Sequence, residues 1–555
     1  MLYHFENRIK LLPIAIFLIV LCGLVYFNSL GNNFVLDDKA LVVNNPLGKS
    51  SRLMPLVFKQ SLYDHWVGAQ LYDRMYRPVQ LLVYWAVYNI WGLNPLGYHL
   101  ASVMLHLFNS VLIYYLLFLL FANFKISAVA AVLFLVHPIH TSVVSYIASS
   151  ADLLSCLFTV LSLILFLKFL RLRVKGYYFL SLLSAAFALL SRENALILFI
   201  FIALIIFIEK PGKKYYFLVV PFALLSLFYL VLRFIILGDS GLYSHPVILA
   251  FSLQAANFFN IIFKYIILLL LPLGLHPLRV TPFIRDFLDP RAFLALGFIL
   301  FYIYTMVKLQ KNKMVVFSMA WFLIGLFPVF LSLDGYPMLD GAMMAESWLY
   351  MPSIGFFVIL GCIINSVRKQ GVVILFFIAS YGLMTVINNT YWKNDIVIQE
   401  RILEYTSEKN ILRKDLIESY LENSQYEEAF AEIKTFSKYY SHTSLVDVVW
   451  GNYYFFTSRP ELAVEHYEKA LARNRHFFLY YRLSSCFKDM QQPDKAIEYG
   501  LKSFGVNRYF VPNLIQLGYL YAGKNQINEA RSYYQMAYDL EPRNEGIKNL
   551  INNAK

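Results

Sequence analysis

Charge is what this chain has least of. Only 15% of its 555 residues are Asp, Glu, Lys or Arg, whereas 59% are hydrophobic and the mean hydropathy is +0.55. One water-soluble core is excluded, because no globular surface can hide that much apolar area. Cysteine is nearly missing. Cys22, Cys156, Cys362 and Cys486 stand at neither CxxC nor metal-ligand spacing, so they read as small core residues and reveal no redox compartment. A Gly-rich phosphate loop, a Ser-His-Asp order and a dinucleotide fingerprint are also missing, which argues against a nucleotide substrate.

The charge that is present is unevenly placed. From residue 391 onward there are 21 Lys+Arg and 21 Asp+Glu, so the net charge of +13 falls wholly on residues 1–390, which hold 27 basic and 14 acidic groups. Such an excess is the footprint of cytoplasmic loops between membrane spans; no nucleic-acid partner is expected. Aromatic residues, at 17%, suit many lipid-facing and interfacial positions.

Arg8 and Lys10 precede an apolar run from Leu11 to Leu30, which reads as a signal anchor with its N-terminus in the cytoplasm. Eleven further apolar runs lie near 98–121, 127–147, 151–170, 177–191, 195–208, 215–237, 255–272, 293–307, 314–333, 349–366 and 371–389. Basic clusters at 168–175, 210–214, 308–313 and 368–369 mark cytoplasmic ends. An even number of crossings must join the second cluster to the third, yet three runs lie between them. One, taken as 255–272, is therefore expected to be re-entrant, paired or surface-lying, leaving eleven crossings and an extracytoplasmic C-terminus. Loops 31–97, 238–292 in large part, and 334–348 then face the same side, with the short turns near 137–150 and 192–194.

The tail repeats itself. Ala429, Ala463, Ala496 and Ala530 stand 34, 33 and 34 residues apart. Gly451, Ser484 and Gly518 precede the last three by twelve residues; Tyr454, Phe487 and Tyr521 follow those small residues by three; Pro542 lies twelve after Ala530. This is the tetratricopeptide pattern, in which small residues let two helices approach and aromatics fill the groove between repeats. Three to four repeats and a terminal cap are expected. They serve either as a folding or dimerisation scaffold or as a concave holder for a peptide or protein.

With 14 acids in the first 390 residues, each is a candidate. Glu6 and Glu209 flank basic segments; Asp64, Asp73, Asp239, Asp286, Asp289, Asp334 and Asp340 fall in expected outside loops. Asp37 and Asp38 follow the first span directly. Adjacent carboxylates at a membrane surface repel and raise at least one pKa, and a carboxylate there can act as a general base on a hydroxyl. A plain solvated loop start fits the spacing as well. Glu193 follows Arg192 between two apolar runs, where charge is costly and functional by default. An Arg there can grip a phosphate oxygen, or the pair can simply fix the turn. Glu346 stands before an aromatic-rich span start. His137 and His140 flank Pro138, which spoils a simple helical pair of zinc ligands, so helix capping or substrate-hydroxyl contact is expected rather than metal.

Several segments are familiar together: Phe34-Val35-Leu36-Asp37-Asp38 with Asn44-Asn45-Pro46; Tyr76-Arg77-Pro78 leading to Trp91-Gly92-Leu93-Asn94-Pro95-Leu96-Gly97-Tyr98-His99, then His106 and Asn109; His137-Pro138-Ile139-His140-Thr141 leading to Ala151-Asp152-Leu153-Leu154; Leu190-Ser191-Arg192-Glu193; and Glu346 with Leu349 through Phe356. With the repeats, the chain resembles the transmembrane-and-tetratricopeptide-containing O-mannosyltransferases and their bacterial relatives, within the class C glycosyltransferase fold. That resemblance implies an all-α architecture: a polytopic membrane helix bundle of about 11 to 13 spans, residues 1–390, followed by a tetratricopeptide α-solenoid, residues 391–555, on the extracytoplasmic side. It implies a polyprenyl-phosphate sugar donor, mannose by analogy, a Ser/Thr hydroxyl of a protein acceptor, and no cofactor or metal. It places the base on Asp37 and Asp38, the donor phosphate on Arg77, Arg192 and Arg233, and substrate contacts on His99, His137, His140, Glu193, Glu346 and Tyr350. The chain departs from the family pattern at Ser142, Ser150 and Ser347, where charged residues are common. The alternatives are an oligosaccharide or lipid glycosyltransferase or ligase, and a non-catalytic scaffold using its repeats to bind protein. Residue style points to a bacterial inner membrane.

Overall fold

A computed structural model describes residues 2–62, 75–238, 251–286, 288–331, 341–406 and 410–554. Asp64, Asp73, Asp239, Asp334 and Asp340 lie outside the described residues. Among the described residues the fold is all-α apart from one antiparallel pairing of two-residue strands, β1 (Val280–Thr281) with β2 (Ala342–Met343). The chain forms two compact units: Met1–Asn33, Tyr76–Gln80 and Pro95–Lys393 make the first; Phe34–Met75, Leu81–Asn94 and Asn394–Lys555 make the second.

The first unit holds α1 (Leu2–Tyr26), the start of α2 (Pro78–Trp91), α3 (Pro95–Phe121), α4 (Phe124–Val136), α5 (Thr141–Val144), α6 (Ser150–Leu172), α7 (Lys175–Ser191), α8 (Leu198–Glu209), α9 (Val220–Leu237), α10 (Phe251–Leu270), α11 (Pro290–Lys308), α12 (Lys313–Leu331), α13 (Ser353–Asn365) and α14 (Gln370–Thr390). Helix α4 is apolar all round and sits at the centre, with Ala131, Leu133, Phe134, Leu135 and Val136 wholly buried. Helices α9, α11 and α14 instead expose large apolar side chains such as Phe228, Ile235, Phe301, Leu375 and Phe376. Water would not tolerate that surface, whereas hydrocarbon does. The chain is a multi-pass membrane protein: among the described residues eight helices are long and apolar enough to cross, or nine if a bent pair counts as one span.

That bent pair is the surprise. The run expected at 127–147 as one span turns by 50° at Pro138, giving a broken span or a re-entrant loop. Proline forces His137, the residue before it, into extended backbone (φ −71°, ψ 127°), which ends the helix. The run at 255–272, expected to be the irregular one, is an unbroken 20-residue helix, α10, long and apolar enough to span. Helices α7, α8 and α13, counted as crossings from sequence, have only 17, 12 and 13 residues.

Small residues set the helix spacing. On α6 and α7, Ser162 and Ser181 each donate to the other's carbonyl at 2.8 Å, the interhelical bonding that replaces hydrophobic drive in lipid. A Cβ on Gly355 of α13 would fall 2.3 Å from the Ser318 carbonyl oxygen of α12.

The second unit contains the remainder of α2, α15 (Asp395–Glu404) and four helix pairs: α16 (Arg413–Glu422) with α17 (Tyr426–Tyr440), α18 (Ser444–Phe456) with α19 (Pro460–Arg473), α20 (Phe477–Asp489) with α21 (Pro493–Val506), and α22 (Val511–Gly523) with α23 (Ile527–Leu540). The cap is α24 (Glu545–Asn553). Ala429, Ala463, Ala496 and Ala530 are fully buried. Gly451 and Gly518 face the rings of Tyr467 and Tyr534, where an added Cβ would come within 2.6 and 2.4 Å. The period therefore records a steric demand. Gly518→Ala should destabilise the protein by about 1–3 kcal/mol through overpacking. Gly523→Ala, with nothing within 4 Å of the new Cβ, should be neutral or stabilise by roughly 0.5–1 kcal/mol. Thermal unfolding of the detergent-solubilised chain checks the contrast; equal effects would mean the Tyr534 contact is slack.

Candidate active site

In the second unit, Asp37 and Asp38 sit in a tight turn. Leu36 takes a left-handed φ of +50°, unusual for a branched side chain. Asp38 Oδ2 accepts the Val35 N–H at 3.0 Å, and the Asp38 N–H donates to the Val35 carbonyl at 3.0 Å. Asp38 is thereby fully buried, whereas Asp37 is exposed. The Leu36 N–H donates to Asp395 Oδ1 at 2.7 Å. Lys39 reaches Asp395 at 2.7 Å and Glu422 at 2.9 Å. Burial opposes the Lys39 charge, yet Asp395 and then Glu422 hold its pKa above the ordinary lysine value. Two adjacent carboxylates thus have different settings, one buried and bonded into its own turn and one exposed.

In the first unit, three arginines gather round two carboxylates. Arg77 Nε and Nη2 donate to Glu193 Oε2 at 3.3 and 3.1 Å. Arg192 pairs with Asp152. Burial pushes the Glu193 carboxyl up, but Arg77, with Arg192 and Arg233, brings it below the usual glutamate value. Among the described residues, three guanidinium groups and two carboxylates come together here, and a guanidinium group can bind an oxyanion. Asp152, absent from the residues assigned a role from sequence, belongs here. So does Tyr229, whose hydroxyl donates to the Tyr76 carbonyl at 3.2 Å. The Ala-Asp-Leu-Leu motif was the signal for Asp152; nothing local marks Tyr229. Gln80 Nε2 donates to Ser150 Oγ at 3.2 Å, so neutral groups meet at position 150.

Three of the histidines, His106, His137 and His140, form a different cluster with Tyr350, also in the first unit. His99, His106, His137, His140 and Tyr350 are all buried. His106 Nδ1 lies 2.7 Å from the Tyr350 hydroxyl, which also accepts from Asn109 Nδ2 at 3.1 Å. His137 Nδ1 accepts the Ile139 N–H at 3.2 Å, capping the turn after Pro138, while its Nε2 lies 2.9 Å from the Leu269 carbonyl. The rings of His140 and Tyr350 meet edge to face at 4.9 Å. No group of three or more His, Cys, Asp or Glu suited to a metal ion occurs among the described residues. Glu346 is buried, accepts the His276 N–H at 2.8 Å, and pairs with Arg279 at 3.2 Å. That places it with β1 and β2 rather than with the arginine cluster.

A double-mutant cycle tests the arginine cluster. Arg77→Met should lower stability, and Arg77→Met/Glu193→Leu should recover part of it, with a coupling energy of roughly 0.5–3 kcal/mol. Additive effects in thermal unfolding would mean the pair is not energetically joined.

With the geometry in place, comparisons give context. Residues 511–544 match the tetratricopeptide repeat family. The chain is similar to the protein O-mannosyl-transferase F38B6.6 of Caenorhabditis elegans, 28% identical over 97 residues, covering 18% of this chain and 14% of that one. It is also similar to the protein O-mannosyl-transferase Tmtc1 of Drosophila melanogaster, 29% identical over 198 residues, covering 35% of this chain and 23% of that one. The matched stretches thus span less than a quarter of either relative's length. Among solved structures, MamA is 22% identical with a TM-score of 0.23, covering 27% of this chain and 89% of that one. The partial curated matches and the repeat together agree with the resemblance read from the sequence motifs.

Proposed function

We propose that the chain is a membrane glycosyltransferase that moves a sugar, mannose, from a polyprenyl-phosphate donor to a Ser or Thr hydroxyl of a protein acceptor held near the repeats. The observation that carries this reading is the acidic turn, in which Asp38 is bonded inward and Asp37 is exposed. The names of the two partial relatives supply the sugar and the acceptor class. On this reading the protein lies in a bacterial inner membrane with its repeats outside the cytoplasm.

Each step assigns a role to a named group. A Ser or Thr hydroxyl is a poor nucleophile until its proton is taken, and Asp37 takes it. The hydroxyl oxygen forms a bond to the sugar's anomeric carbon as the bond from that carbon to the lipid phosphate breaks. Direct in-line attack inverts the anomeric centre. The leaving phosphate carries the developing negative charge, which a guanidinium group can stabilise; the sequence resemblance alone assigns that role to Arg77, Arg192 and Arg233. Asp38 serves by shaping the turn. His99, His137, His140, Glu193, Glu346 and Tyr350 were assigned to substrate from sequence. Of these, Glu193 pairs with Arg77, and on this reading buried His137, His140 and Tyr350 act as scaffold.

Membranes containing the protein, labelled polyprenyl-phosphate mannose and a Ser/Thr-rich acceptor provide the test. Asp37→Asn should lower transfer by about 100-fold or more, the scale of general-base catalysis, at equal amounts of folded protein. Asp38→Ala should cost about 1–3 kcal/mol of stability by leaving the Val35 N–H without its acceptor. Full transfer by Asp37→Asn would sink the assignment of the base; a native chain that glycosylates no acceptor in a panel would sink the enzyme reading.

A further inference from the structure

The turn that carries Asp37 does not stand alone. Within the second unit, the stretch from Lys39 to Arg52 lies against helices more than 350 residues further along the chain. Three bases on it meet four acids of α15 and the repeats. Lys39 joins Asp395 and Glu422. Lys49 Nζ lies 2.5 Å from Glu541 Oε1, with the lysine side chain only 2% exposed. Arg52 reaches Asp539 at 2.8 Å. Ser50 Oγ donates to the Asp539 carbonyl at 2.7 Å, and Leu53 packs beside Val511, Leu514 and Ala537. One short strap therefore joins α16, in the first helix pair, to the end of α23, in the last.

These contacts are not equal. Arg52 is largely exposed, and such pairs contribute little. Lys49 is buried; burial lowers its pKa more than Glu541 raises it, so the ammonium depends on its partners there. Lys49 also donates to the Val43 carbonyl, inside the strap itself. At the other end, Asp395 accepts the N–H of Leu36, the residue held at positive φ. A left-handed leucine persists only where its surroundings over-determine it, and here the acceptor is the first residue of α15.

We propose that the repeat unit positions the acidic turn: Asp395 and the Lys49–Glu541 pair are positioning residues that hold the backbone of residues 34–39, and so hold Asp37. The inference rests on the reading of Asp37 as the base. It gives the repeats a second role beside holding an acceptor, and it makes loading or displacement of the repeats a way to alter the base.

The experiment uses the full chain in nanodiscs and reads two quantities. Hydrogen exchange of peptides covering residues 34–52 reports the hold; kcat and KM for the acceptor report its use. Lys49→Met leaves Glu541 without its buried base. It should speed exchange at residues 35–39 by about tenfold or more. It should lower kcat by a similar factor at unchanged acceptor KM. Lys49→Met/Glu541→Leu should return both towards native values, a rescue that mere loss of folded protein would not give. Asp395→Ala, which removes the Leu36 contact without touching the last helix pair, should give the same split and serves if Lys49→Met does not fold. Unchanged exchange at 35–39 in both single variants, or faster exchange with kcat untouched, would overturn the proposal. If the native chain transfers no sugar, the functional reading fails separately, and the exchange result alone upholds or overturns the hold.

Discussion

Charge taken out of water must find its opposite inside the chain, and that demand organises both units. In the membrane unit the demand is severe, since removing a carboxylate from water costs several kcal/mol unless a partner is close. Arg77 with Glu193, Arg192 with Asp152, and Arg279 with Glu346 each meet it. These pairs tie segments far apart in sequence and fix where the chain can turn. In the repeat unit the same demand is met between the strap and the solenoid, where Lys49 is as buried as any apolar side chain around it.

Polar groups without charge follow a parallel logic. His106, Asn109 and Tyr350 share one hydrogen-bonded network in the centre of the bundle, and Ser162 and Ser181 exchange bonds across two helices. Each solves a local problem of satisfaction in an apolar setting. The motif histidines therefore do structural work, the capping role being one of the two that the sequence offered. His137 caps the turn that Pro138 creates, which is how a broken helix survives at the heart of the unit.

Where the sequence was readable, a steric or solvation rule left a period or a run. The repeats announced themselves through Gly451 and Gly518, where a Cβ would meet Tyr467 or Tyr534, and through the four fully buried alanines. The membrane helices did so through uninterrupted apolar length, to within a few residues for most. What stayed hidden was long-range pairing. Asp37 and Asp38 are indistinguishable as neighbours in sequence; the bond from Val35 decides which one turns inward. Helix α2 was read as part of the loop 31–97, being only 14 residues long and set among turn residues. The unit division was equally illegible. Residues 34–75 read as a loop of the membrane part, yet they cluster with the repeats, and only the scattered bases Lys39, Lys49 and Arg52 hinted at acidic partners.

The strap also bears on time. A repeat array is usually nearly one-dimensional, each unit leaning only on its neighbours, so it can form in the order it is made. Here Lys49 must wait for Glu541, 492 residues later. At cellular synthesis rates of about 5–20 residues per second, that interval is on the order of half a minute to a minute and a half. Throughout it Lys49 lacks its buried partner, although Asp395, which accepts the Leu36 N–H, has been made well before. The strap thus closes only after the last helix pair has emerged, and a ribosome that stops short leaves a membrane-anchored chain whose Lys49 has no Glu541 to pair with.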